Sequence, residues 1–79
     1  MNNEPAVVLQ AIFRAVFKLP AGTDVTGYDQ TNTPAWDSLA HVALVTGIES
    51  EFEISLEVDD QLQMTSFEAI CRMIEQRVG

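Results

Sequence analysis

The segment Asp37-Ser38-Leu39-Ala40-His41 brings a carboxylate, a hydroxyl and an imidazole within five residues of one another. Two kinds of chemistry could use them. Residues three apart are neighbours on a helix, so Ser38 and His41 invite a test as a nucleophile and its base. Asp37 does not complete that set: it is a good N-cap residue, and capping turns its carboxylate toward backbone N–H groups, not toward an imidazole. The chain also has no second lobe or glycine-rich turn from which to build a substrate pocket and an oxyanion hole. No catalytic residue is therefore expected. The other chemistry suits Ser38 better. In the first turn of a helix capped by Asp37, its hydroxyl lies exposed beside N–H groups that have no partner within the helix. Such a serine is a poor nucleophile but a good attachment point for a phosphate ester, whose charge the positive helix end favours. The implied role is a carrier without catalysis of its own.

The elements that must hold this segment can be read along the chain. Helix 1 is predicted to start at Asn3 or Glu4, with Pro5 tolerated in its first turn, and to end near Lys18, before Pro20 and Gly22. Gln10, Arg14 and Lys18 mark its wet face; Leu9, Ile12 and Val16, with Phe13 beside them, mark the dry one. Residues 19–37 are rich in Gly, Pro and Thr, and a loop this long in so small a domain is either functional or held by anchors. Val25, Tyr28 and Trp36 are the expected anchors, Trp36 acting as a clamp at the base of helix 2. Helix 2 runs from about Ser38 to Phe52, with His41, Leu44, Val45, Ile48 and Phe52 on its core stripe. Leu39, Val42, Ala43 and Thr46 form a second set, which is either a docking surface or is covered by the long loop.

Ile54, Leu56 and Val58 alternate like a strand, but no partner strand is in sight. A short helix or turn across 57–63, anchored by Leu56, Val58, Leu62 and Met64, is more economical. The last helix opens on Thr65-Ser66-Phe67-Glu68, a T-x-x-E capping box, with Phe67, Ile70, Cys71, Ile74 and Val78 facing inward. The expected fold is one all-α domain over residues 1–79. It is a small four-helix bundle, three longer helices plus a short third one, with a long loop between helices 1 and 2.

Composition narrows the function classes. A 47% hydrophobic content is high enough to fold, and no apolar run approaches the roughly 18–20 residues that span a bilayer. The beginning Met1-Asn2-Asn3-Glu4 lacks the basic stretch of a secretory signal, so a cytoplasmic monomer is expected. One cysteine, Cys71, permits no internal disulfide and leaves no Cys/His set for a metal. It reads as a small buried hydrophobe. The net charge is −8, with six acids and no base between Glu49 and Asp60. Such a surface repels nucleic acid and anionic membranes. It either aids solubility alone or steers partners that carry basic patches.

The Asp37-Ser38-Leu39 start of an amphipathic helix, its Glu49-Ser50-Glu51-Phe52 end, the acidic short third helix, Met64-Thr65 and the capped last helix together resemble the acyl carrier proteins. The likeness spans nearly the whole chain. It implies that a phosphopantetheinyl transferase joins 4′-phosphopantetheine, from coenzyme A, to Ser38 beside Asp37. The arm's thiol would then hold an acyl cargo as a thioester for acyl-transferring or condensing enzymes of fatty-acid, polyketide or other specialised acyl biosynthesis. Leu39, Val42 and Thr46 fall on positions that contact partner enzymes. Asp37 and Glu49 match acidic recognition positions, and Glu51 and Glu53 continue that face. The chain departs from the housekeeping pattern at Ala40 and Ala43, where acids are common, and at Thr46, where a larger apolar residue is common. It departs also at Ala35-Trp36, where many members have a glycine-containing turn. A dedicated carrier of an unusual acyl or aminoacyl group fits these departures. The alternatives are an aminoacyl or peptidyl carrier and, from a different class, an unmodified helical adaptor that has no use for Ser38.

Overall fold

Four α-helices follow one another in the order α1 (Pro5–Phe17), α2 (Ser38–Phe52), α3 (Val58–Leu62) and α4 (Phe67–Val78). The structure is a computed structural model and describes residues 4–78, the Val78 side chain excepted. Asn3 as a helix start and Val78 as a core residue therefore lie outside the described residues. The all-α expectation holds. Among those residues the only extended pairing is an isolated antiparallel bridge between Asp29 and Ser66.

α1 begins where Pro5, whose fixed φ suits the first helical position, follows Glu4 at the N-cap. It ends at Lys18, which turns left-handed (φ 56°) while the Leu19 N–H closes onto the Arg14 carbonyl at 2.8 Å. Leu9, Ile12 and Phe13 are buried and Val16 packs against them, as the periodicity indicates. The opposite face is drier than expected, because Gln10 and Arg14 are half-buried. The Arg14 guanidinium donates to the Thr23 carbonyl (2.8 Å) and to Gln10 Oε1 (2.9 Å), and so it holds the start of the long loop.

α1 packs on α2 at Gly47, where a Cβ would stand 3.1 Å from Ile12 Cγ2. A glycine inside a helix costs about 1 kcal/mol relative to alanine, and here the close helix approach gives the reason for it. The core collects Leu44, Val45 and Ile48 from α2, Leu56 and Met64 from the α3 flanks, and Phe67, Ile70 and Ile74 from α4. At its centre Phe13, fully buried, meets Trp36 (ring centroids 5.4 Å), Phe67 (5.2 Å), Phe17 (5.8 Å) and Tyr28 (6.3 Å). Most of these contacts are edge-on, the arrangement that ring quadrupoles prefer.

The same aromatic cluster anchors the loop. Val25 is fully buried, and Tyr28 and Trp36 pack into the core, as expected of the three anchors. Backbone bonds then seam the loop to the entry of α4: Gln30 N–H to Thr65 O and Phe67 N–H to Tyr28 O, both 2.9 Å. Asp29 folds its own segment by accepting from the Thr31 hydroxyl (2.6 Å) and from the backbone of Thr31 and Asn32.

Two local expectations are corrected. Leu56 and Met64 anchor α3 as foreseen, but Val58 and Leu62 are 69% and 72% exposed. A five-residue helix turns only one stretch inward, and its flanks already fill that space. The α4 cap is Ser66, whose Oγ accepts from Ala69 N–H at 3.0 Å, and Glu68 pairs instead with Arg72 at 3.1 Å. Thr65 is displaced from the capping position because its carbonyl is committed to the loop. α3 is held differently: Asp60 accepts from Glu57 N–H (3.0 Å) and from Arg77 of α4 (2.6 Å).

Phe13→Ala removes the hub of the core and should cost about 3–5 kcal/mol, comparable with the whole stability of a domain this small. Far-UV circular dichroism in a urea titration should show a largely unfolded variant at room temperature. Acid should loosen the structure too. The Arg77 guanidinium, and then the Glu57 N–H, hold the Asp60 carboxyl below its ordinary value of 3.8; the Thr31 hydroxyl and the Asn32 and Thr31 N–H groups do the same for Asp29. Depressed carboxyls give stability that is present above 3.8 and lost as pH falls through their folded values. Urea midpoints should therefore drop as pH falls below about 4, and drop less in Asp60→Asn.

Candidate functional site

The turn before α2 sets up its first residue. Trp36 N–H bonds Thr33 O (2.9 Å) and Asp37 N–H bonds Ala35 O (3.0 Å), bringing Asp37 to the N-cap in an extended conformation. Its carboxylate accepts from Ala40 N–H at 2.9 Å, and its carbonyl accepts the first helical bond, from His41 N–H. Ser38 is then the first residue of a 15-residue helix and is exposed. With Ala40 N–H taken by the cap, the N–H groups of Ser38 and Leu39 belong to the end that has no intrahelical acceptor. The hydroxyl thus stands in solvent at the positive pole of α2, as the sequence indicates.

Asp37, Ser38 and His41 come together in space, but not as a catalytic relay. Trp36 Nε1–H donates to His41 Nδ1 at 3.1 Å, and His41 Nε2 lies 3.0 Å from the Gln61 carbonyl. An indole can only donate and a carbonyl can only accept, so in this arrangement Nδ1 accepts from Trp36 and Nε2–H donates to Gln61 O. Both ring nitrogens are engaged away from Ser38, and the Asp37 carboxylate is engaged in capping.

Trp36 and His41 occupy the positions before the cap and in the fourth helical place, where a hydrophobic staple joins residues across a helix start. Here the staple is hydrogen-bonded as well as packed. That spacing is present in the sequence and is the signal by which the pair can be found. Gln61 gives no such signal, since it contributes a backbone carbonyl twenty residues away.

Beside Ser38 lies an open groove of about 490 Å³, walled by Gln30, Trp36, His41 and Val42 on one side and by Gln61 and Leu62 of α3 on the other. Gln30 reaches within 3.4 Å of His41 Nδ1. Nothing in the sequence pattern singles out either glutamine, or Leu62 as a surface residue.

The second stripe of α2 is not covered by the loop. Leu39 is 81% and Val42 62% exposed, and Ala43 and Thr46 are exposed with them. Exposed Val58 and Leu62 add apolar surface on α3. Of the acids, Glu51 and Glu53 are exposed at the far end of α2, about 20 Å from Ser38 by helix rise. Glu49 is half-buried and also shapes the fold, because its Oε2 accepts from Leu56 N–H at 2.8 Å and so fixes the turn into α3.

Cys71 is half-buried on α4, and burial, followed by the Glu75 carboxylate, pushes its thiol up from the ordinary value. Among the described residues no cluster of three His, Cys, Asp or Glu side chains could hold a metal, and no helix is long and apolar enough to cross a membrane.

Leu39→Glu should leave α2 intact, shifting stability by no more than about 0.5 kcal/mol, whereas Leu44→Ala, on the buried stripe, should cost about 2–5 kcal/mol. Thermal denaturation of the two variants side by side measures the difference. Compared with models of known protein families and with curated proteins, the chain matches none.

Proposed function

We propose that this protein is an acyl carrier protein in which Ser38 bears 4′-phosphopantetheine. The observation that carries the reading is the exposed Ser38 hydroxyl at the first position of α2, with Asp37 capping Ala40 and leaving the leading N–H groups to face an anion. A phosphodiester fits there: the helix pole attracts its charge, and the open groove leaves room for an arm. The arm supplies a thiol that carries an acyl group as a thioester.

The residues of the chain divide the remaining work. Asp37 fixes the start of α2 and so the place of the serine oxygen. In the modification, the Ser38 oxygen forms a bond to the phosphorus of coenzyme A nearest the pantetheine. The P–O bond to the nucleotide breaks, and the serine proton leaves to a base of the transferase. Leu39 and Val42, with Thr46 one turn on, present the face on which the transferase and acyl-handling enzymes dock. Glu49, Glu51 and Glu53 make the rim attractive to basic patches on those partners. The carrier itself supplies position and charge, and its partners supply catalysis.

Incubation with coenzyme A and a broad-specificity phosphopantetheinyl transferase, followed by intact-mass measurement, tests the reading. The native chain should gain one phosphopantetheine and Ser38→Ala none. An unmodified native chain would favour a helical adaptor instead.

A further inference from the structure

His41 is held from two sides, and the two bonds ask opposite things of its ring. Nδ1 accepts from the Trp36 indole at 3.1 Å, while Nε2–H donates to the Gln61 carbonyl at 3.0 Å. A third polar group stands at the same edge: the Gln30 side-chain amide lies 3.4 Å from Nδ1. One lone pair serves one donor well, so Trp36 holds the bond and Gln30 is the spare partner. His41 is half-buried on the wall of an open groove, where solvent protons reach it, whereas Trp36 is only 6% exposed.

We propose that the Trp36–His41 bond is a proton-operated latch on the turn that mounts Ser38. A proton added at Nδ1 converts the ring's one acceptor into a donor, which then opposes the indole N–H. The ring releases Trp36 and turns Nδ1–H to Gln30, whose amide offers an oxygen as well as a nitrogen. Nε2 carries a proton in both states, so the tie to Gln61 survives. Trp36 is left with an unpaired donor, and the turn from Thr33 to Asp37 loses one of its fixings. The closed latch excludes the extra proton, so it gives way as pH falls. This inference requires no modification of Ser38 and stands apart from the carrier reading.

The groups around the ring leave His41 as the one that answers. On α2 the Asp37 carboxylate, one turn earlier, is bound to Ala40 N–H. The loop presents Gln30 and Trp36, and α3 presents Gln61 and Leu62, none of which changes charge near neutrality. Asp60, next to Gln61, pairs with Arg77 of α4. The Asp29 and Asp60 carboxyls titrate below 3.8, so the seams they make stay closed while the latch opens.

The chain has one histidine and one tryptophan, so imidazole and indole signals report this pair alone. Nitrogen-15 NMR and tryptophan fluorescence of the native chain are followed from about pH 8 to about pH 5, the span in which an imidazole ordinarily changes charge. At the upper end Nε2 should be protonated and Nδ1 not. As the ring takes up its second proton, the Trp36 indole N–H and the Gln30 side-chain amide should shift with the same midpoint. Fluorescence should follow a one-proton curve, and the Leu44 and Ile48 methyl signals should stay in place. His41→Gln, which keeps a donor and an acceptor without a titrating ring, should abolish the transition.

An indole signal that ignores the His41 titration would overturn the proposal, as would an unmoved Gln30 amide, the opposite tautomer, or a ring that takes up no proton across the range. So would a transition that persists in His41→Gln. Loss of the core methyl signals over the same span would overturn it too, because the event would then be unfolding of the domain. The native-chain measurements decide the matter even where the substituted chain does not fold.

Discussion

Trp36 is the point at which loop, core and site meet. Its ring fills the edge of the aromatic cluster around Phe13, and its single N–H reaches out of that cluster to His41. A buried indole donor left unpaired would cost about 1–3 kcal/mol, so the histidine acceptor is part of what makes this large ring tolerable here. The result is a loop whose last residue before the cap is fixed from two directions. Asp37 and Ser38 inherit that fixity, which is why an exposed serine can occupy a defined place.

The long loop behaves as an extension of the core and not as a tether. Arg14 holds its beginning, Val25 and Tyr28 its middle, and the seam to Thr65 and Phe67 ties it to the entry of α4. Among the described residues no polar or charged residue is buried. The polar side chains therefore act at the boundary, where they direct backbone without incurring the cost of a buried charge.

Much of this is legible in the sequence where the signal is local. The 3.6-residue period marks α1, α2 and α4, and Asp37-Ser38 marks the cap and its exposed neighbour. Val25, Tyr28 and Trp36 stand out as large apolar residues in a polar stretch. The α3 region is legible only in part, because five residues cannot define a face by periodicity and the flanking Leu56 and Met64 take the inner places. The choice between Thr65 and Ser66 as cap is not local at all: both are good capping residues, and the pairing of Gln30 with Thr65 decides between them. The groove escapes for the same reason, since it joins residues 30, 41 and 61 across three separate segments.

The two ends of α2 are closed by different devices. Its beginning is held by a side-chain cap and a stapled ring pair, while its end stops at Glu53 with φ 55°, a left-handed backbone that costs a residue with a Cβ roughly 1–2 kcal/mol. Lys18 closes α1 with the same strain. That strain is offset at both ends by the bonds that close onto the Glu49 and Arg14 carbonyls. The stretch that presents Ser38 carries no left-handed residue, so a group fastened there would keep its bearing without drawing on such a reserve.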